Sequence, residues 1–573
     1  LTLFNSTFMN KHHLLALAIT LPACAYAQTA VDAYSASQLD LRGSARFMSM
    51  GGAFTALGGD ISTLNQNPGG IGVYRSSDIS LTLDLEPQST KSSVGSLTDK
   101  NSQTKFGVNN FGYIGSVNTG SSAMPFFNWG VSFSRAASFD RRYGGRLGEI
   151  GTSYTNMVAD YTTYDGFTQG DLLNNNPYFD SDAPWSSILM FDGFGINPTG
   201  PGANSYTGLF NYGSTTGEGW YDIEEKGHVD EYSLNFGGNV MNILYWGIGF
   251  GITDIDFKQY AYYGEAFNAP NVPSFTPKPT PDDPNAGDYG YYSGKDYPQN
   301  TGDYGLTNYK HIWGSGFNFK AGVIIKPVNE FRLGIAVHTP TYYNLSYEGN
   351  ATMAFGYDSP QYTQNEANKF NNGQTSTEWE DFDWKLQTPW RFMVGAAGVI
   401  GGRAIISADY EYRAYSDMKV KDWNGNNYNA YNDNIKTFYK GVNIIRLGAE
   451  YRVTPAFSIR AGYSYESSPV QTQLIDPANN SEVIYVPTSG AYDTETQPSF
   501  TLDRSTNYIT CGLGYRYKNF YADLAYVYRH RESDYQAFTN YEELMNPGSF
   551  VYAPKAKVTY NNSQLVLTLG VRF

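Results

Sequence analysis

The clearest signal in the chain is a period-two alternation of apolar with polar or small residues, the repeat of a strand whose two faces meet different surroundings. Ile445, Leu447, Ala449, Tyr451 and Val453 share one parity, and Arg446, Gly448, Glu450 and Arg452 the other. After Thr454-Pro455 the pattern resumes as Phe457, Ile459, Ala461, Tyr463 and Tyr465, which predicts a hairpin. A second hairpin is expected across Lys518-Asn519, and the chain closes on Leu565, Leu567, Leu569, Val571 and Phe573. Earlier segments of this kind fall near 77–86, 105–117, 126–139, 228–240, 245–260, 311–326, 331–347, 381–399 and 403–415. With the five C-terminal segments they make fourteen, an even number that suits a single-chain barrel with both ends on one side.

The junctions decide between a barrel and a soluble sandwich. Every second one is short, at 118–125, 241–244, 327–330, 400–402, 454–455 and 518–519. The others are long, at 87–104, 140–227, 261–310, 348–380, 416–440, 467–504 and 531–557. An outer-membrane barrel separates its connections in this way, with short periplasmic turns and long extracellular loops. Loop tracts such as Asn174-Asn175-Asn176-Pro177 and Pro279-Thr280-Pro281-Asp282 are solvated turn chemistry that cannot face lipid. In the C-terminal strands the charges Arg446, Glu450, Arg452, Arg460, Arg516 and Asp523 all lie opposite the apolar parity, so they are expected in the lumen. The reading is an all-β fold: a 14-stranded antiparallel transmembrane β-barrel over residues 76–573.

Composition agrees. Aromatic residues make up 16% of the 573 residues and charged residues only 16%, with 60 glycines, which favours strands and turns over helices. The net charge of −15 argues against a nucleic-acid partner. Beyond the N-terminus no apolar run reaches the roughly 18 residues of a membrane helix. Residues 1–27 read as a secretory signal with the true start at Met9: Lys11 supplies the basic start, Leu14 to Ala23 the apolar stretch, and Ala25-Tyr26-Ala27 the cleavage site. Leu21-Pro22-Ala23-Cys24 resembles a lipobox, but Pro22 fits it poorly, so an unlipidated mature chain from Gln28 is expected. Cys511 is then the only cysteine, and no internal disulfide is possible.

Residues 28–75 lack the alternation of a membrane strand. Arg42 to Asp60 interleaves small residues with Phe and Met, as suits a compact element packed inside something else. Asp60 is placed to cap a short helix through Leu64 or Asn65, and Pro68 to turn the chain before the first strand. Gly51-Gly52-Ala53-Phe54, Gly58-Gly59-Asp60 and Asn67-Pro68-Gly69-Gly70 resemble the N-terminal hatch of the FadL-type family, outer-membrane transporters of long-chain fatty acids and other hydrophobic compounds. His338-Thr339-Pro340, Thr388-Pro389-Trp390-Arg391 and Asp409-Tyr410-Glu411-Tyr412 are similar to members from the Bacteroidetes group. The resemblance implies a 14-stranded barrel in the outer membrane of a Gram-negative bacterium, plugged by its own N-terminus, acting as a transporter and not as an enzyme. The family's usual alanine after Asn-Pro is Gly69 here, so a rigid hatch turn does not follow from the resemblance.

On this reading the chain takes up hydrophobic small molecules passively and the hatch gates their passage. Phe47, Met48, Met50, Phe54 and Leu57 are the candidate ligand contacts, since flexible Met and flat Phe fit varied alkyl chains. Asn67, Pro68 and Gly69 form the candidate hatch turn. Expected partners are outer-membrane lipids, the hydrophobic ligand, and the barrel assembly machinery, recognised through the C-terminal Phe573; a monomer is expected. Two other functions compete. The long loops, rich in Tyr, Asn and Gly over 140–227, also suit a surface adhesin or a secretion-machine component, while a general porin would need the plug to leave an open channel. No cofactor or metal is expected, because His228, His311, His338 and His530 are scattered without ligand spacing. A hydrolase at the loop end would use His530, which has no Ser or acidic partner at defined spacing.

Overall fold

The computed structural model describes residues 30–199, 203–271, 273–275, 291–293, 301–358, 373–471, 496–546 and 548–573. The signal segment, the Gln28 terminus and the 279–284 tract lie outside them. The wall has fourteen strands: β1 Asp78–Val94, β2 Leu97–Asn118, β3 Phe126–Ser138, β4 Thr216–Val240, β5 Leu244–Asn268, β6 Thr301–Val328, β7 Phe331–His338 with Tyr342–Asp358, β8 Glu380–Gln387 with Arg391–Ile400, β9 Ala404–Ala414 with Lys419–Asp422, β10 Gly441–Arg452, β11 Phe457–Glu466, β12 Phe500–Tyr517, β13 Phe520–Gln536 and β14 Lys555–Arg572. Each pairs antiparallel with the next, and β14 returns to β1 from Asp78↔Arg572 to Ser93↔Lys557, so the ladder closes into a barrel. Both expected C-terminal hairpins are present, with Arg452↔Ser458 and Tyr517↔Phe520 beside their turns.

Two strands read as continuous are broken. The first breaks at Thr339-Pro340-Thr341 and its neighbour at Thr388-Pro389-Trp390. Proline has no N–H for the ladder. The two breaks lie side by side, with His338↔Arg391 below them and Tyr342↔Gln387 above, and Thr341 and Thr388 bridge the gap by hydrogen bonds of 2.8 and 3.1 Å.

The strands also extend well into stretches read as loops. β1 and β2 continue to Val94 and from Leu97, and β5 and β6 reach Asn268 and start from Thr301. The alternation changes meaning there. In β5 the outward residues Trp246, Ile248, Phe250 and Ile252 are apolar and the inward Gly247, Gly249, Gly251 and Thr253 small or polar; above them the outward positions carry Asp254, Asp256 and Lys258 and the inward ones Ile255, Phe257, Ala261, Tyr263 and Phe267. β14 does the same, with inward Ala556, Val558 and Tyr560 above inward Asn562, Gln564 and Thr568. The lower half meets lipid outside, whereas the upper half meets water and buries its apolar side chains inside. The upper interior is closed by helices from the loops: α3 Tyr154–Tyr164, α4 Trp185–Asp192 and α5 Asn429–Phe438, over the N-terminal α1 Ala30–Ser37.

Candidate functional site

The lower lumen is filled by residues 38–75. Helix α2, Ala45–Ser49, is capped by Ser44, whose hydroxyl accepts from the Phe47 N–H and donates to Asp60 at 2.8 Å. Asp60 in turn caps the short turn Ile61–Asn65, and Asn67 caps the next, Pro68–Val73, accepting from the Gly69 N–H at 2.9 Å. The Asn67 amide also donates to Thr55 O at 2.6 Å within the plug and to Val323 O at 3.3 Å on the wall, so it joins the two. Pro68 and Gly69 press against wall glycines: a Cβ on Gly247 would overlap the Pro68 carbonyl, and one on Gly69 would come within 2.8 Å of Gly322 O. Gly69 therefore serves close approach at this turn.

The same key-and-seat relation recurs around the lumen, because inner-wall Gly334, Gly448, Gly462 and Gly512 face Thr55, Met50, Gly51 and Ser49 with no room for a side chain. Between these seats, wall side chains satisfy plug backbone groups. The Ala45 N–H donates to Thr568 at 2.7 Å, the Thr55 N–H to Asp409 at 2.7 Å, Arg332 to Leu57 O at 2.7 Å and Asn128 to Ile71 O at 2.7 Å. Arg42 lies 3.3 Å from Asp84 and 2.9 Å from Glu86, and Arg46 lies 2.9 Å from Glu450. Arg446, Glu450, Arg460 and Asp523 are buried in this lattice, while Arg452 and Arg516, of the same parity, are exposed near the short turns. Buried ion pairs of this kind fix position more than they add stability.

Phe47, Met48, Met50, Phe54 and Leu57 are all buried in the packing between plug and wall, against Ala397, Tyr508, Ala525, Val527 and Val566. None of the five lines the apolar cavity of this barrel. That cavity, about 180 Å³, lies in the upper half between α1, α3, α5 and the wall. Its apolar lining comes from Val31 and Tyr34 of α1, Tyr154, Met157, Val158 and Tyr161 of α3, Tyr431 and Phe438 of α5, and Tyr143, Phe500 and Tyr535 of the wall. Its two cations are engaged: Lys310 lies 2.6 Å from Asp32, and Arg141 pairs with Glu225 and lies 3.5 Å from Asp503. Burial pushes the Asp165 carboxyl at its rim above the ordinary range. These residues come from stretches far apart in sequence, and the only local cue to α3 and α5 is apolar residues spaced three or four apart inside loops, Tyr154, Met157 and Tyr161 in one and Tyr431, Ile435 and Phe438 in the other.

Helix α3 is latched to the wall by Glu265, which is fully buried and accepts from the Ser153 and Tyr263 hydroxyls and, at 3.1 Å, from the Tyr154 N–H. The wall itself is incomplete on one side. The β2–β3 ladder stops at Asn110↔Ser134, β3 ends at Ser138 and the chain resumes pairing with β4 only from Arg141. Lys105 and Asp140 form an ion pair beside this gap, and Phe106, 71% exposed, stands at its outer edge. His530 bonds Asn561 at 2.8 Å and lies 4.0 Å from Glu532.

A closed, even-stranded antiparallel wall with an apolar outer belt, short turns at one end, long loops at the other and a filled lumen defines a bacterial outer-membrane β-barrel with an N-terminal plug. No family model and no curated protein matches the chain. Among solved structures it is similar to a Pseudomonas aeruginosa FadL homologue, at 11% identity and TM-score 0.49 over 94% of this chain and 100% of that one. It is also similar to the Pseudomonas putida toluene transporter TodX, at 13% identity and TM-score 0.44 over 93% and 99%. The Ralstonia pickettii toluene transporter TbuX matches at 14% identity and TM-score 0.42 over 93% and 99%. The barrel assignment rests on the ladder itself.

Proposed function

We propose that the protein carries hydrophobic small molecules passively inward across the outer membrane, with the extracellular cavity as the entry site and the N-terminal plug as the gate. The carrying observation is the apolar, aromatic-lined cavity set directly above a plugged lumen. An apolar solute is poorly served by a water-filled channel and needs an apolar binding route. Helix α1 is common to both parts: Val31 and Tyr34 line the cavity, while the chain that follows carries Asp40 and Arg42 into the plug. Occupancy of the cavity therefore bears on the plug through one continuous segment. The gap beside β2 is the exit this reading favours, since β2 and β3 form no backbone ladder above Asn110↔Ser134.

Long-chain fatty acids and uncharged hydrophobes both suit the lining. The paired state of Arg141 and Lys310 favours uncharged ones, because a carboxylate would have to displace Glu225, Asp503 or Asp32. The test is uptake of a labelled uncharged aromatic and a labelled fatty acid into proteoliposomes. Met157→Trp, which fills the cavity, is expected to slow the aromatic severalfold in a barrel that still folds; unchanged uptake would remove the cavity from the route.

A further inference from the structure

Just above the lipid belt, the outer face of β8 and β9 turns abruptly from apolar to cationic. Phe392 and Tyr412 face each other in register, Trp390 stands at the strand break and is 38% exposed, and immediately above come Gln387 opposite Lys419 and Lys385 opposite Lys421. Cross-strand like charges repel. The described carboxylates form no ion pair with Lys385, Lys419 or Lys421; Lys385 rests 5.1 Å above the exposed Trp423 ring. Beside this strip α5 completes an outward cleft of about 380 Å³, lined by Trp390, Gln387, Lys419, Asn427, Asn429 and Lys436, with Asp417 and Asp433 also on its rim and Asp433 holding Lys436 at 3.0 Å. In a chain of net charge −15, three neighbouring lysines with no ion pair among the described residues are out of character at headgroup height.

We propose that this strip and the cleft beside it together bind the phosphorylated sugar headgroup of an outer-leaflet lipid, Lys385, Lys419 and Lys421 of the strip taking a phosphate, Gln387 and the asparagines of the cleft the sugar hydroxyls, and Trp390 a sugar face or the start of an acyl chain. The outer leaflet of a Gram-negative outer membrane supplies this chemistry as lipopolysaccharide. Trp390 and the belt below it favour a lipid over a free anion, because the site opens where an aromatic ring marks the membrane boundary. The ligand is distinct from the transported one, since the cleft faces outward and the cavity inward.

The test is native mass spectrometry of the full-length barrel in mild detergent, titrated with purified lipopolysaccharide, with phosphatidylglycerol, or with inorganic phosphate. The wild-type protein is expected to retain one lipopolysaccharide. Lys385→Gln/Lys419→Gln/Lys421→Gln is expected to bind it about 100-fold more weakly, on the order of fivefold for each lysine removed, and Trp390→Ala more weakly by a smaller factor. Both variants should keep their heat-modifiable mobility and their uptake of hydrophobic probe. Equal retention by wild type and the triple variant would overturn the proposal. Equally tight, lysine-dependent binding of phosphatidylglycerol would overturn the sugar part, and displacement of the lipid by millimolar phosphate would reassign the cleft to a free anion.

Discussion

The lower and upper halves of this barrel are built from the same fourteen strands yet are opposites in polarity. In the lower half Leu565, Leu567 and Leu569 face lipid while Asn562, Gln564 and Thr568 face the lumen; in the upper half Lys555, Lys557 and Thr559 face water while Ala556, Val558 and Tyr560 face inward. The consequences for function follow from the interior. A polar, glycine-rich lower lumen accepts a plug whose backbone it hydrogen-bonds, and an apolar upper lumen collects aromatic side chains around a cavity. Plug and cavity thus sit in halves of the barrel whose outer faces meet different surroundings, with α1 spanning the two.

The largest expected effect breaks this polarity directly. Leu567→Arg puts a charge on the lipid face and should cost roughly 2 to 4 kcal/mol, seen as loss of the heat-modifiable band. Thr559→Arg, on the same strand and parity but above the belt, should stay within about 0.5 kcal/mol. Equal effects would mean that the belt is misplaced. Next comes Gly247→Val, which drives a side chain into the Pro68 carbonyl and should cost about 1 to 3 kcal/mol, read as proteolysis of the plug in a barrel that remains inserted. Gly398→Ala, where nothing lies closer than 3.9 Å, should leave the plug protected.

In the upper half, Glu265→Ala strands the donors of Ser153, Tyr154 and Tyr263, costing about 1 to 3 kcal/mol locally. Hydrogen exchange should rise in α3 and leave the plug unchanged. The smallest effect is that of pH. Burial pushes the Asp40 carboxyl up, but Arg529, Arg42 and Arg531 outweigh it and hold it below the ordinary range. A lowered folded pKa contributes stability that is complete above about pH 4 and is lost as pH falls through the folded value. Plug protection should be flat from neutral pH down to that point and weaken only in stronger acid, and Asp40→Asn should remove that acid-dependent part. A change already between neutrality and pH 5 would exclude Asp40 as its source.

The lower half was legible because lipid forces one apolar parity, so Ile445 to Val453 or Leu565 to Phe573 reads as a strand at sight. The upper half was not, since its apolar residues move to the other parity between Ile252 and Ile255 and the repeat looks broken just where the strand continues. The proline breaks at Pro340 and Pro389 were visible as residues but were overridden by the alternation around them. In the plug, Asp60 was readable as a cap, because capping is local. The cavity was not, because Tyr34, Met157, Tyr431 and Tyr535 meet only after the loops fold back over the barrel. The Phe and Met of 47–57 are legible as apolar residues, but their packing between plug and wall depends on wall residues far away in sequence.

On the proposed function the plug shuts the lower lumen and the upper lumen binds the solute. The most direct measurement pairs liposome swelling in small sugars with uptake of a labelled uncharged hydrophobe, for the intact barrel and for one lacking residues 28–65. The strand ladder starts at Asp78, so the shortened chain should still insert and show heat-modifiable mobility. Fast sugar entry through the shortened barrel and loss of selective hydrophobe uptake are expected, since α1 leaves with the plug. A shortened barrel that folds, stays closed to sugars and carries the hydrophobe as before would contradict the proposed function.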